Sequence, residues 1–184
     1  MKKQILAFIL CITTLSLEAG DIPGSKENPF LKRLDGSTIV RYKIPDHANV
    51  NFWTVNEKGG SLSLLGDGSI LRMAYSLPGA ATGTKQVFDV YLKELKDKEF
   101  KVEYSNDKWL LVWAEMAIGQ QGFEELKVSD KDDCGYVYAT KEDPAGFIRI
   151  SVLVVKFKDA QKNMFAAGDI GIFVDSCQSK PKGN

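Results

Sequence analysis

The stretch from Phe147 to Phe157 restricts the fold more than any other part of this sequence. β-Branched residues occupy every second position in it, namely Ile148, Ile150, Val152 and Val154. Arg149 and Ser151 interrupt the opposite face. A period of two residues is the pattern of a β-strand, because successive side chains point to opposite faces of a sheet. The chain must therefore build a sheet that can accept this strand.

Other stretches rich in β-branched and aromatic residues predict further strands. They are Thr38–Ile44, Val50–Val55, Ser69–Leu77, Phe100–Tyr104, Tyr136–Ala139 and Asp169–Val174. We expect the first two to pair with each other, because only a short segment with Pro45 separates them. Glycines between the second and third predict hairpin turns, at Gly59, Gly60, Gly66 and Gly68.

One helix is predicted from about Lys85 to Lys98, with Thr84 as its N-cap. Its apolar residues recur at three- and four-residue spacing, namely Val87, Phe88, Tyr91, Leu92 and Leu95. Residues 109–118 are apolar almost continuously, so their period does not decide between strand and helix. One clear helix among many strands predicts an α+β fold, with a mostly antiparallel sheet packed against one main helix.

The amino terminus has the pattern of a secretory signal peptide. Lys2 and Lys3 precede an apolar stretch, Ile5–Leu17, which ends near the small residue Ala19. The stretch has thirteen residues, whereas a membrane-spanning helix needs about 20 apolar residues. We therefore expect cleavage of residues 1–19, no transmembrane segment afterwards, and a soluble periplasmic or secreted protein.

The remaining 165 residues fit a single domain. Residues 20–36 are polar and rich in turn formers, and we predict an extended lead-in there. The α+β domain itself is predicted over residues 37–177. Residues 178–184 offer little to bury and predict a disordered tail.

Charge and cysteine content limit the possible partners and cofactors. The leader holds Lys2, Lys3 and Glu18, so the exported part carries 22 basic and 23 acidic residues. Such a balance disfavours nucleic acid as a partner. Cys134 and Cys177 remain, and export favours a disulfide between them over two separately buried thiols. We expect no metal ion and no cofactor, since two cysteines and one histidine cannot complete a zinc shell alone.

No arrangement of residues in the sequence points to catalysis. The single histidine, His47, lies in a predicted turn, and no nucleophile elbow accompanies it. Trp109 and Trp113 are the candidate binding residues, because four positions apart they share a face of either a helix or a strand. The alternative for both is core packing, which is usual for tryptophan.

Several segments together resemble a known exported domain. They are Asp21–Arg33, Gly36–Ile39, Gly68–Tyr75, the predicted helix around Val87 and Tyr91, and Cys134–Val174. The sequence resembles the domain of unknown function that precedes the OmpA-like domain in some Gram-negative envelope proteins. The resemblance implies an envelope location but supplies no catalytic or binding residues. Because no OmpA-like domain follows here, we expect no wall anchoring of that kind.

These observations predict a non-catalytic, exported, envelope-associated binding module rather than an enzyme. Its partner would be an envelope protein or a cell-wall component, bound through the sheet or the aromatic surface. Two other functions stay open on the sequence alone. One is a carrier of an apolar ligand between helix and sheet. The other is a small carboxylate-dependent hydrolase, whose two carboxylates need not be close in sequence.

Overall fold

A computed structural model describes most of the chain after residue 19. The described residues are 20–45, 50–55, 61–66, 68–79, 82–108, 111–120, 122–123, 125–128, 133–161 and 164–180. For residues 55, 61–66, 111–113 and 120 the backbone alone is described. The predicted signal peptide and His47 lie outside the described residues. Within them, no helix is long and apolar enough to span a membrane.

The described elements are eight strands and two helices. In chain order they are β1 (Thr38–Lys43), β2 (Val50–Val55), β3 (Ser61–Gly66), β4 (Ser69–Leu77), α1 (Thr84–Asp97), β5 (Lys101–Asn106), α2 (Leu111–Gln120), β6 (Asp133–Asp143), β7 (Gly146–Lys156) and β8 (Ile170–Ser179). The apolar segment whose period did not decide between strand and helix therefore contains a helix, α2.

A six-stranded antiparallel sheet in the order β1-β4-β8-β7-β6-β5 forms the centre of the molecule. A separate two-stranded sheet consists of β2 and β3, which pair with each other in antiparallel register. The predicted α+β fold, with a mostly antiparallel sheet and one main helix, is confirmed.

The predicted pairing of the first two strands is wrong. β1 pairs with β4, and β2 pairs with β3, a strand that the sequence did not predict. β3 was missed because glycines flank it and its polar residues, Ser61 and Ser63, make the apolar pattern short. The chain therefore leaves the central sheet after β1, and β2 and β3 form a separate two-stranded sheet.

The central sheet is covered on both faces. One face, which we call the α1 face, carries Tyr75, Val137 and Val152, and packs against α1. The opposite face, which we call the hairpin face, carries Tyr138 and Phe173, and packs against β2 and α2. Side chains on both faces are buried, so the molecule has an apolar core on each side of its sheet.

Helix α1 begins and ends within one residue of its predicted bounds. All five residues of the predicted apolar stripe face the core, and four of them are fully buried. The N-cap differs from the prediction, because Gly83 takes that position and its N–H donates to the Gln86 side chain at 2.9 Å. Thr84 is instead the first helical residue and is buried.

The two ends of the described chain are more ordered than the sequence suggested. In the lead-in, Leu31 reaches the core of the α1 face and Asn28 is also buried. β8 continues to Ser179, two residues into the predicted tail. Residues 181–184 lie outside the described part of the chain.

The predicted disulfide between Cys134 and Cys177 is not present. Both are buried thiols, on β6 and β8 respectively, and β7 lies between these strands. Cys134 is opposite Val155 of β7, whereas Cys177 is opposite Arg149. Those β7 residues are six positions apart, a separation of about 20 Å along a strand. A disulfide requires Cα atoms within about 7 Å of each other, so the sheet register forbids the bridge.

We expect Gly146→Ala to destabilise the fold much more than Gly168→Ala. Both glycines have positive φ, +137° and +88°, but a Cβ on Gly146 would collide with the Ser179 carbonyl, whereas Gly168 has open space. Backbone strain alone costs about 1–2 kcal/mol, and overpacking adds about 1–3 kcal/mol. Urea unfolding of both variants measures the difference. Equal losses would contradict the close packing of Ser179.

We expect the thiols of Cys134 and Cys177 both to react with an alkylating reagent after unfolding without reductant. Intact-mass measurement should then show alkylation at Cys134 and Cys177. Under native conditions both should be protected, because each is at most 3% exposed. A protein that gains alkyl groups only after reduction would contradict the separation of these cysteines in the sheet.

Candidate binding site

An open apolar groove of about 330 Å³ lies on the α1 face near the free edge of β1. Its apolar walls come from three parts of the chain: Phe30 of the lead-in, Tyr42 and Ile44 at the end of β1, and Leu71 of β4. Ile44 is 62% exposed, the largest exposed fraction among the large apolar side chains that the structure describes. The groove is large enough for an apolar side chain of a partner.

The lead-in wall of the groove is held by hydrogen bonds. The Asn28 side-chain oxygen accepts from the backbone N–H groups of Phe30 and Leu31, at 2.9 and 3.1 Å. Such Asn-centred turns replace the hydrogen bonds of regular structure. The Lys98 ammonium donates to the Phe30 carbonyl at 2.6 Å and also pairs with Glu94. Phe30 is therefore tied to the end of α1.

A carboxylate fastens the start of the lead-in to β1. Asp21 accepts from the Ile39 N–H at 2.8 Å and from the Arg33 guanidinium at 2.7 Å. Arg33 also pairs with Glu27 at 3.1 Å. The hydrogen bond from Ile39 and the contact with Arg33 hold the pKa of Asp21 below its usual value. We call the contacts of Asp21 with Arg33 and Ile39 the clasp.

A β-bulge sets which side chains of β1 face the groove. The register shifts between Ile39 and Arg41, so Val40 is the extra residue of the strand. Arg41 lies on the hairpin face, where its guanidinium is 5.2 Å from the centre of the Phe123 ring. Tyr42 and Ile44 therefore alternate onto the α1 face, where they line the groove.

The predicted binding residues, Trp109 and Trp113, cannot be placed at the groove. Trp109 lies outside the described residues, and only the backbone of Trp113 is described, as part of α2 on the hairpin face. Ala114 and Ile118 form the buried side of this helix, and Met116 is 47% exposed. The groove residues were not predicted as a site, because no local pattern joins the lead-in to β1 and β4.

A row of polar side chains crosses the hairpin face inside the protein. Arg72, Asp175, Ser151 and Tyr138 are successive cross-strand neighbours on β4, β8, β7 and β6. The Arg72 guanidinium is 3.6 Å from the Asp175 carboxylate, and both side chains are less than 10% exposed. Burial raises the pKa of Tyr138. The attraction between the charges of Arg72 and Asp175 offsets the free energy that it costs to remove both from water.

The next polar side chain on this face joins the hairpin to the sheet. The Tyr136 hydroxyl accepts a hydrogen bond from the backbone N–H of Trp53 in β2, at 2.9 Å. Beside it, Phe52 stacks on Tyr138 with 5.2 Å between the ring centres. Burial raises the pKa of Tyr136 well above its ordinary value. This polar row therefore supports the docking of β2.

No family model and no curated protein matches this chain. The described residues contain no group of three or more histidine, cysteine or acidic side chains placed to hold a metal ion. What the groove offers chemically is an apolar contact surface, with the charged residues Lys26 and Glu27 also in its lining.

The lowered pKa of Asp21 predicts a loss of stability in acid that depends on the clasp. Because the folded-state pKa lies below the unfolded value near 3.8, this contribution is complete above that value and is lost as the pH falls through the folded pKa. Asp21→Asn should remove this part of the acid dependence, as measured by urea unfolding between neutral pH and pH 3. The matched control is Asp35→Asn, since Asp35 is 97% exposed. An unchanged pH profile in Asp21→Asn would contradict the clasp.

Proposed function

We propose that this chain is an exported, non-catalytic binding module of the cell envelope. It holds a partner protein at the groove beside β1. The observation that carries this proposal is the open apolar groove, whose lining includes the highly exposed Ile44. Exposed apolar surface bordered by polar residues is typical of protein interaction sites.

The construction of the groove supports a binding role. One wall is a loop that the clasp and the Asn28 turn hold in place, and the other walls belong to the central sheet. A preorganised site loses little conformational entropy when a partner binds. The groove also opens to solvent, whereas a carrier encloses most of its ligand. An external partner therefore fits this groove better than a carried ligand does.

The test compares two surface variants of the full chain, expressed with its own leader in the organism that encodes it. Ile44→Asp places a charge in the apolar lining of the groove. Val90→Asp is the control, because Val90 is 47% exposed on α1 and does not line the groove. We expect wild type and Val90→Asp to retain the same envelope protein in a pull-down, and Ile44→Asp to lose it. Calorimetry with the purified partner should likewise show binding to wild type and Val90→Asp with similar affinity, and weaker binding to Ile44→Asp.

A third variant tests the surface predicted from sequence. If Trp109→Ala/Trp113→Ala loses the partner while Ile44→Asp keeps it, the binding site is the aromatic segment and the groove assignment is wrong. If wild type retains no envelope protein, the chain is not a binding module.

A further inference from the structure

We infer that the partner binds as an extended strand along the outer edge of β1. Its residues opposite Arg41, Tyr42 and Lys43 would be acidic, apolar and acidic in turn, with the apolar side chain in the groove. This inference rests on the proposed function and specifies the chemistry of the partner. Strand addition to a sheet edge is a common mode of peptide recognition, in which backbone hydrogen bonds supply affinity and pockets supply specificity.

The chain itself already uses part of this edge. The Ile22 N–H donates to the Ile39 carbonyl at 3.1 Å, while Asp21 accepts from the Ile39 N–H. The lead-in then turns away from β1, and in this turn the Ser25 N–H donates a hydrogen bond to the Ile22 carbonyl. Asn28 next lies over the α1 face, where its side chain contacts Met73. Beyond Ile39, no described strand pairs with the outer edge of β1.

The alternation of β1 decides the pattern of the added strand. Tyr42 and Ile44 face the groove, whereas Arg41 lies on the hairpin face. Lys43 follows Tyr42 in the strand and so shares the face of Arg41. A paired strand has its side chains on the same faces as the residues they oppose. Acidic residues therefore fit opposite Arg41 and Lys43, and an apolar residue fits opposite Tyr42.

A second copy of this chain is a poor occupant of the same edge. Antiparallel pairing of two copies about Tyr42 would put each Arg41 opposite Lys43 of the other copy. Like charges directly opposite each other destabilise a strand pair. The other edge of the sheet, β5, has a bulge between Val102 and Tyr104. β1 has a bulge as well, at Val40, so the bulges do not distinguish the two edges. The groove does, because Tyr42 of β1 lines it, and β1 is therefore the better edge.

The test uses a fluorescently labelled nonapeptide with the sequence Gly-Ser-Thr-Glu-Leu-Glu-Thr-Ser-Gly and variants of it. Fluorescence anisotropy measures their affinity for the full chain, purified in the form that the cell produces. We expect binding at low ionic strength. Replacing both Glu by Lys should weaken it by about tenfold, and replacing Leu by Ser should also weaken it. Two N-methylated peptides, each blocking one of the two alternate sets of backbone N–H groups, should differ in affinity, because only one set faces β1.

A charge exchange locates the peptide. Lys43→Glu should lower affinity for the Glu-Leu-Glu peptide and raise it for the Lys-Leu-Lys peptide. Lys101→Glu is the control, since Lys101 is 77% exposed on β5. Equal binding of both N-methylated peptides, or no effect of Lys43→Glu, overturns strand addition at this edge.

The result separates this inference from the proposed function. If capture of the envelope partner depends on Ile44 but the Glu-Leu-Glu peptide does not bind, the groove remains the proposed site and strand addition is wrong. If Ile44→Asp also leaves capture unchanged, both are wrong. Self-association that depends on Lys43 would identify a second copy as the occupant and would overturn the inference.

Discussion

The architecture depends on one constraint: the two central strands, β7 and β8, are apolar on both faces. Leu153 and Phe173 lie on the hairpin face, whereas Val152 and Val174 lie on the α1 face. A single covering layer would leave one of these rows in water, at a cost of about 25 cal/mol for each Å² of apolar surface. Two covers are therefore required. α1 and the lead-in cover one face, and the β2–β3 hairpin with α2 covers the other.

Local patterns predicted the elements, but not how distant segments meet. Helix α1 and strand β7 were found because a period of 3.6 or 2 residues is visible within each segment. The partner of β1 is more than twenty residues away along the chain, and no local period reports such pairing. The same reason explains the wrong disulfide prediction. The expectation of export favoured a bridge between Cys134 and Cys177, but the register of β6, β7 and β8 keeps them apart. The groove was missed because its walls, including Phe30 and Ile44, come from segments that the fold alone brings together.

The polar row on the hairpin face shows how an apolar core can specify one arrangement. The ion pair of Arg72 and Asp175 joins neighbouring positions of β4 and β8. A shift of one strand by one residue would separate the two charges and turn the side chains of the shifted strand to the other face. An uncompensated charge inside the protein is costly. The pair therefore opposes misregistered alternatives, whatever its net contribution to stability, and the hydrogen bond from Trp53 to Tyr136 similarly favours one position of the hairpin.

The groove and the clasp are thermodynamically linked. Phe30 forms a wall only while the lead-in is docked, and Asp21 fastens that lead-in to Ile39 at the edge that the inferred strand would extend. A ligand that binds only the docked form must stabilise the clasp by the same free energy by which the clasp strengthens binding. Protonation of Asp21 opposes docking and therefore also weakens binding. The affinity of the groove for an apolar side chain should consequently fall as Asp21 is protonated.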